Sequence, residues 1–156
     1  MESKSQKVVL EKATAEELPF IIKGVKEICK IEKQKSEDSA LLRKTIRKAI
    51  EEKKIIVAKV DDSLVGFLQF AFSNKEPYGL DYGKRRKFCW IEWMYVARPF
   101  RKKEIGHSMH KELIKLCKAK GIKEIMVDVF EVNKKARAFY EREAFSNFIH
   151  ILRERV

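Results

Sequence analysis

The sequence predicts a mixed α/β fold in a single domain, on three observations. Two early segments repeat apolar residues at helical spacing. Two β-rich runs, 54–60 and 64–72, are separated by turn residues. A run at 88–96 with apolar residues on both faces leads through a basic turn into a helix and then a further strand. The expected order is β-α-α-β-β-β-α-β-α-β over residues 1–156, without internal repeats or a linker. A chain of 156 residues is long enough to bury one proper core.

Residues 7–11 read as a short opening strand. Thr14 and Glu17 have the spacing of a capping box, in which each side chain satisfies the other residue's backbone amide. The helix they start carries Leu18, Ile21, Ile22, Val25 and Ile28 on one stripe, with Pro19 in its first turns, where proline costs least. Ser36 or Asp38 opens a second helix, with Leu41, Leu42, Ile46, Ala49 and Ile50 facing the core. Asp61-Asp62-Ser63 closes a hairpin, and Gly66 marks a bulge or a close backbone approach in its second strand. The stretch from Ser73 to Lys87 contains Pro77, Gly79 and Gly83 and reads as a long functional loop.

The run at 88–96 belongs inside the sheet, and Arg98-Pro99 ends it. A helix at 105–120 with Met109, Leu113, Leu116 and Cys117 on one face stops at Gly121. A buried-type strand follows at 122–130. Asn133 caps a helix through Glu143, and 145–153 reads as a last strand.

Composition narrows the class. Hydrophobic residues make up 45% and charged residues 37%, which describes a globular chain, and no apolar run reaches the length of a membrane helix. Met1-Glu2-Ser3-Lys4-Ser5 lacks the apolar core of a signal peptide, so a cytoplasmic location is expected. Cys29, Cys89 and Cys117 form no CxxC pair and read as reduced core thiols. His107 and His110 lie three apart on a helix with no third ligand in view, so exposed helix histidines and no metal are expected. The net charge of +12 favours anionic partners. The basic residues are nevertheless spread along the chain without a nucleic-acid motif, and DNA or RNA is not the expected partner.

The informative segment is Val96-Ala97-Arg98-Pro99-Phe100-Arg101-Lys102-Lys103-Glu104-Ile105-Gly106-His107-Ser108. A buried strand enters a basic turn that opens a helix, whose first amides lack internal partners and whose dipole is positive there. Such an end can hold a pyrophosphate, with Arg101, Lys102 and Lys103 adding charge and Gly106 allowing close approach. Neither a GxxxxGK[ST] nor a GxGxxG pattern is present, which leaves out the nucleotide P-loop and the dinucleotide fold.

This segment resembles the R/Q-x-x-G-x-G/A loop of the GNAT acetyltransferases, with Glu104 at the first glycine; a glutamate there requires a negative φ and a carboxylate turned away from the phosphates. Downstream, Asn133-Lys134-Lys135-Ala136-Arg137-Ala138-Phe139-Tyr140-Glu141-Arg142-Glu143-Ala144-Phe145 resembles the family's N-x-x-A-x-x-F/L-Y-x-x-x-G-F signature, with Ala144 at the glycine. The resemblance covers nearly the whole chain. It implies the GNAT fold, a single mostly antiparallel mixed sheet flanked by about four helices, with acetyl-CoA as co-substrate. Backbone groups of Met94, Tyr95 and Val96 would bind the pantetheine arm. The pyrophosphate would lie on the segment Arg101, Lys102, Lys103, Glu104, Ile105, Gly106, His107 and Ser108. Asn133 and Ala136 would complete the cofactor site.

Glu92, the one charged residue within 88–96, is implied as general base toward the amine, directly or through water; its alternative is a carboxylate paired with an arginine or set at a solvated edge. Tyr140 is implied as general acid toward the departing thiolate and as part of the cofactor site. Trp90 and Trp93 are expected on opposite faces of their strand, one of them near the acceptor. Lys84-Arg85-Arg86-Lys87 reads as a solvated basic turn or a selector of acidic acceptors. The expected activity is N-acetyl transfer to a primary amine of a small molecule or peptide. A non-catalytic acyl-CoA-binding module and a basic nucleic-acid-associated protein are the rival readings. The oligomeric state is left open, dimers being common among the proteins it resembles.

Overall fold

Thr14 opens the helical part of the chain as its spacing predicts. Its backbone amide and hydroxyl both donate to Glu17 Oε2, at 2.6 and 2.7 Å, and the capping box closes around a short 3-10 turn, Ala15–Glu17. The computed structural model describes residues 6–75 and 87–156. The expectations for the first five residues, for Pro77, Gly79 and Gly83, and for Lys84, Arg85 and Arg86 lie outside the described residues.

The elements are β1 (Val8–Lys12), α1 (Leu18–Ile31), α2 (Ser39–Glu51), β2 (Ile55–Val60), β3 (Ser63–Ser73), β4 (Phe88–Val96), α3 (Ile105–Ala119), β5 (Glu124–Val127) and α4 (Lys134–Arg142). The strands form one sheet in the order β1-β2-β3-β4-β5. The first three pairings are antiparallel and β4 with β5 is parallel. Asp61 and Asp62 close the β2–β3 hairpin with φ of 49° and 62°, the left-handed values that two-residue turns require.

The sheet separates two cores. Helices α1 and α2 cover one face, where Leu18, Ile21, Val25, Leu42 and Ile46 pack on Val57, Phe67 and Tyr95. Helices α3 and α4 cover the other, where Met109, Leu113, Cys117 and Tyr140 pack on Leu68, Phe70, Cys89 and Ile91. Asp38 rather than Ser36 caps α2, accepting from the Ala40 amide at 2.8 Å. Leu41, expected in the core, stands exposed on the outer side of α2. The bulge expected near Gly66 falls at Val65, which has no partner in the β2 register. Gly66 itself permits a close approach, since a Cβ there would lie 2.8 Å from the Tyr95 carbonyl oxygen. The three cysteines are free and buried, and burial pushes the thiols of Cys89 and Cys117 up.

The strand expected at 122–130 is only four residues long, and the last strand expected at 145–153 does not form. Residues 145–156 are irregular, and the apolar positions that suggested a strand have no surface to cover: Ile151 is 75% and Leu152 93% exposed. The predicted order therefore holds through α4 and loses its final element.

Candidate active site

β4 changes character at Glu92. From Phe88 to Ile91 it is paired on both sides, with β3 and with Glu124–Val127 of β5. Beyond Ile91 no described strand continues the pairing on the β5 side. The Ala97 amide donates to the Val65 carbonyl of β3 at 2.8 Å. Backbone groups alternate along a strand, so Met94 and Val96 turn theirs to the open edge while Tyr95 turns its own to β3.

The opening coincides with a bulge. Gln69 stands opposite Trp93 and Phe70 opposite Ile91, so Glu92 is the extra residue of β4. Its side chain is exposed, and its Oε2 accepts from Gln69 Nε2 at 2.7 Å; the partner is an amide, not an arginine. The bulge also corrects the expectation for the tryptophans. Trp90 faces Ala71 and Trp93 faces Gln69, positions on one side of β3, whereas an unbroken strand would have put the two indoles on opposite faces.

Where β4 and β5 part, a cleft is lined by Ile91, Glu92, Trp93, Met94, Val127, Asp128, Val129, Asn133, Ala136 and Tyr140, together with Ile28 of α1 and Glu32 at its C-terminal cap. Six of the residues singled out from the sequence thus meet there: Glu92, Trp93, Met94, Asn133, Ala136 and Tyr140. Asn133 Oδ1 caps α4 by accepting from the Ala136 amide at 3.2 Å, and its Nδ2 donates to Glu32 Oε1 at 3.2 Å. Tyr140 is 8% exposed between Phe139 and Phe145; burial first and the Glu32 carboxylate second push its hydroxyl well above the ordinary tyrosine value. A second hollow of about 220 Å³ lies between α2 and β3, lined by Thr45, Lys48, Glu52, Lys54, Gln69 and Phe72 among others. Glu92 lines both hollows.

The basic loop is arranged differently from its sequence reading. Arg101 Nε donates to the Val96 carbonyl at 2.8 Å and its guanidinium reaches Glu27 Oε1 at 3.3 Å, which ties the loop to α1. Tyr95 joins the same tie: its hydroxyl donates to Glu27 Oε2 at 2.6 Å, and burial followed by that bond pushes its pKa up to about 12. Lys103 lies 5.6 Å from the Phe100 ring centre, and Lys102 has a φ of 60°.

Glu104 does not meet the condition set for it. Its φ is 61°, the left-handed conformation that the family's glycine adopts freely and a glutamate adopts at about 1–2 kcal/mol. It serves as N-cap of α3 by its backbone only: its carbonyl accepts from the Ser108 amide at 2.9 Å and the Ser108 hydroxyl at 3.0 Å, and its side chain makes no capping bond. Ala144 likewise takes a φ of 67° where the signature has glycine, and the Phe145 amide closes that turn on the Tyr140 carbonyl at 3.0 Å. Ile105 is buried under the loop. Gly106 packs closely on α4, and a Cβ there would sit 3.0 Å from the Phe139 ring.

The histidines are not simple exposed residues. His107 and His110 both reach Glu143 through Nδ1, at 2.8 and 2.9 Å, and His110 is only 4% exposed. Burial pushes the Glu143 carboxyl up, but the bonds to His110 and His107 outweigh it and hold the carboxyl below its ordinary value.

Sequence reading missed Glu27, Glu32, Asp128, Glu143 and Gln69. Only Gln69 left a signal, being the one polar residue in the apolar run 64–72. The carboxylates stand at positions where charge is ordinary, and only the folded chain brings Glu32 and Asp128 to the cleft that Glu92 lines.

Comparison with known proteins agrees with this geometry. The sequence model of the Acetyltransferase (GNAT) family matches residues 22–145. A thialysine N-epsilon-acetyltransferase of Caenorhabditis elegans is 28% identical over 133 residues, 81% of this chain and 76% of that protein. An aminoglycoside N-acetyltransferase solved in complex with CoA superposes with a TM-score of 0.79 at 12% identity, over 100% of this chain and 99% of that one. A predicted acetyltransferase of Clostridium acetobutylicum, solved with acetyl-CoA, gives 0.74 at 16% identity, over 96% of both. At these identities the structural likenesses speak for the fold alone. The match over residues 22–145, more than half of the chain, establishes that it belongs to the acetyltransferase (GNAT) family and is an acyltransferase.

Proposed function

We propose that the chain moves an acetyl group from acetyl-CoA to a primary amine of a small molecule or peptide by direct transfer. The observation that carries this reading is the position of Glu92, at the bulge where β4 loses its partner and on the shared wall of the two hollows. An extended arm can add to the open strand edge at Met94 and Val96 as a further strand would. When bound there, acetyl-CoA supplies the activated thioester. The first-turn amides of α3 face outward without a side-chain cap, which suits the phosphates.

An amine arrives in water as an ammonium ion. Glu32, Glu92 and Asp128 give the cleft a negative lining on a chain of net charge +12, which favours a cation locally. Glu92 takes the ammonium proton, directly or through a water, and the freed nitrogen lone pair attacks the carbonyl carbon. As the C–S bond breaks, Tyr140 gives its proton to the departing sulfur, and the acetylated nitrogen sheds its second proton through water to the Tyr140 phenolate, leaving a neutral amide and a free thiol. The raised pKa keeps the Tyr140 hydroxyl protonated until that moment.

The test has two stages. Acetyl-CoA must raise the melting temperature, because a ligand of the native state stabilises it. Thiol release is then followed with a panel of thialysine, an aminoglycoside and a lysine peptide. Glu92→Gln is expected to lower turnover by about 10²–10⁴-fold, the usual contribution of a general base. No thermal shift with acetyl-CoA, or full turnover in Glu92→Gln, sinks the reading.

A further inference from the structure

Gln69 is an anomaly in β3. It is 3% exposed, it interrupts an apolar run, and its Oε1 is a buried side-chain atom without a hydrogen-bond partner among the described residues. A buried primary amide is costly unless both ends are bonded, so this side chain is a poor choice for stability alone. Its other end is engaged: Nε2 donates to Glu92 Oε2 at 2.7 Å. That bond also fixes the amide's orientation, since the reversed amide would set two oxygens against each other.

We propose that Gln69 is the positioning residue of Glu92, holding one carboxylate oxygen so that the other is presented to the acceptor amine. This rests on the reading of Glu92 as the base. A bulged residue has no cross-strand partner to fix its direction, and Glu92 is exposed on an open edge. One short bond from a buried, immobile donor supplies the missing constraint. The other ionisable groups facing Glu92 are Lys48 and Glu52 from α2 and its end, Lys54 before β2, Glu32 at the end of α1, Asp128 after β5 and Tyr140 of α4. Among the described residues only Gln69 is hydrogen-bonded to the Glu92 side chain.

The experiment compares the wild type with Gln69→Met and Gln69→Leu, one unbranched and one branched apolar replacement. Carboxyl-carbon NMR at neutral pH, with Glu92→Gln used to assign the signal, should show the Glu92 carboxylate resonance displaced in either folded variant, because its one buried donor is gone. In thiol release with acetyl-CoA and thialysine, kcat should fall by about tenfold, the scale of a hydrogen bond to a charged group, with KM for acetyl-CoA unchanged. The melting temperature should stay or rise, because the unpartnered Oε1 is gone.

An unmoved Glu92 carboxyl resonance overturns the inference. So does a lowered melting temperature with an unchanged kcat, which is what a purely structural role predicts. If the resonance moves while Glu92→Gln keeps full turnover, Gln69 still positions the carboxylate and it is the base assignment that falls.

Discussion

The two halves of β4 share one strand and differ in everything beside it. Phe88–Ile91 lies between two hydrogen-bonded neighbours, and Phe88, Cys89 and Ile91 are buried. Glu92–Val96 keeps β3 on one side, leaves the other edge open, and carries an exposed carboxylate at its start. The bulge at Glu92 is the boundary. The first half thus anchors the strand through burial and pairing. The second stays paired to β3 but leaves the Met94 backbone groups and the Val96 amide available to a guest. A rigid element with one unfinished edge is a better platform for chemistry than a loop, because its position is set by the core behind it.

Substitutions on either side of the boundary should therefore separate function from stability. The largest effect is expected across the open half. Tyr140→Phe should lower turnover by about 10²-fold, through loss of the proton donor, with a melting temperature close to that of the wild type. Equal loss of turnover and stability would mean that the hydroxyl is part of the packing and not of the reaction.

In the paired half the pattern should invert. Phe88→Ala leaves a cavity in the core and should cost about 3–5 kcal/mol by denaturant unfolding, while the folded fraction keeps its turnover. A milder effect would mean that the paired half is less of an anchor than its burial indicates.

The smallest effect lies in the loop that leaves the open half. Glu104→Gly should relieve the left-handed strain and stabilise by about 1 kcal/mol, raising the melting temperature by about 2–4 °C. It also removes a negative charge beside the helix start, so acetyl-CoA affinity should rise and not fall. A weaker affinity would show that the Glu104 carboxylate has a role of its own.

Much of this was legible in the sequence, for reasons that are local. Thr14 and Glu17 announce a helix start because a capping box is a contact between neighbours. Glu92 announces itself as a charge in an apolar strand, and Asn133 through Tyr140 carry a spacing that one helix preserves. The illegible parts are long-range. That Glu92 is a bulged residue depends on its register against Gln69, more than twenty positions away, and so does the shared face of Trp90 and Trp93. The closeness of Phe139 to Gly106 is equally invisible in the sequence, because the two stand on different helices. The apolar alternation after Phe145 is a genuine strand pattern, but among the described residues no strand lies beside it. Glu104 defied a sound expectation because the loop geometry, tied down by Arg101 to Glu27, imposes a positive φ on whatever residue stands there.

Amide hydrogen exchange along β4, with and without acetyl-CoA, tests the division of the strand most directly. Added protection is predicted at the Met94 and Val96 amides, which face the open edge, while the amides of Cys89 through Ile91 stay as they were. A rise in melting temperature with no new protection at either Met94 or Val96 would place the cofactor elsewhere and contradict the account.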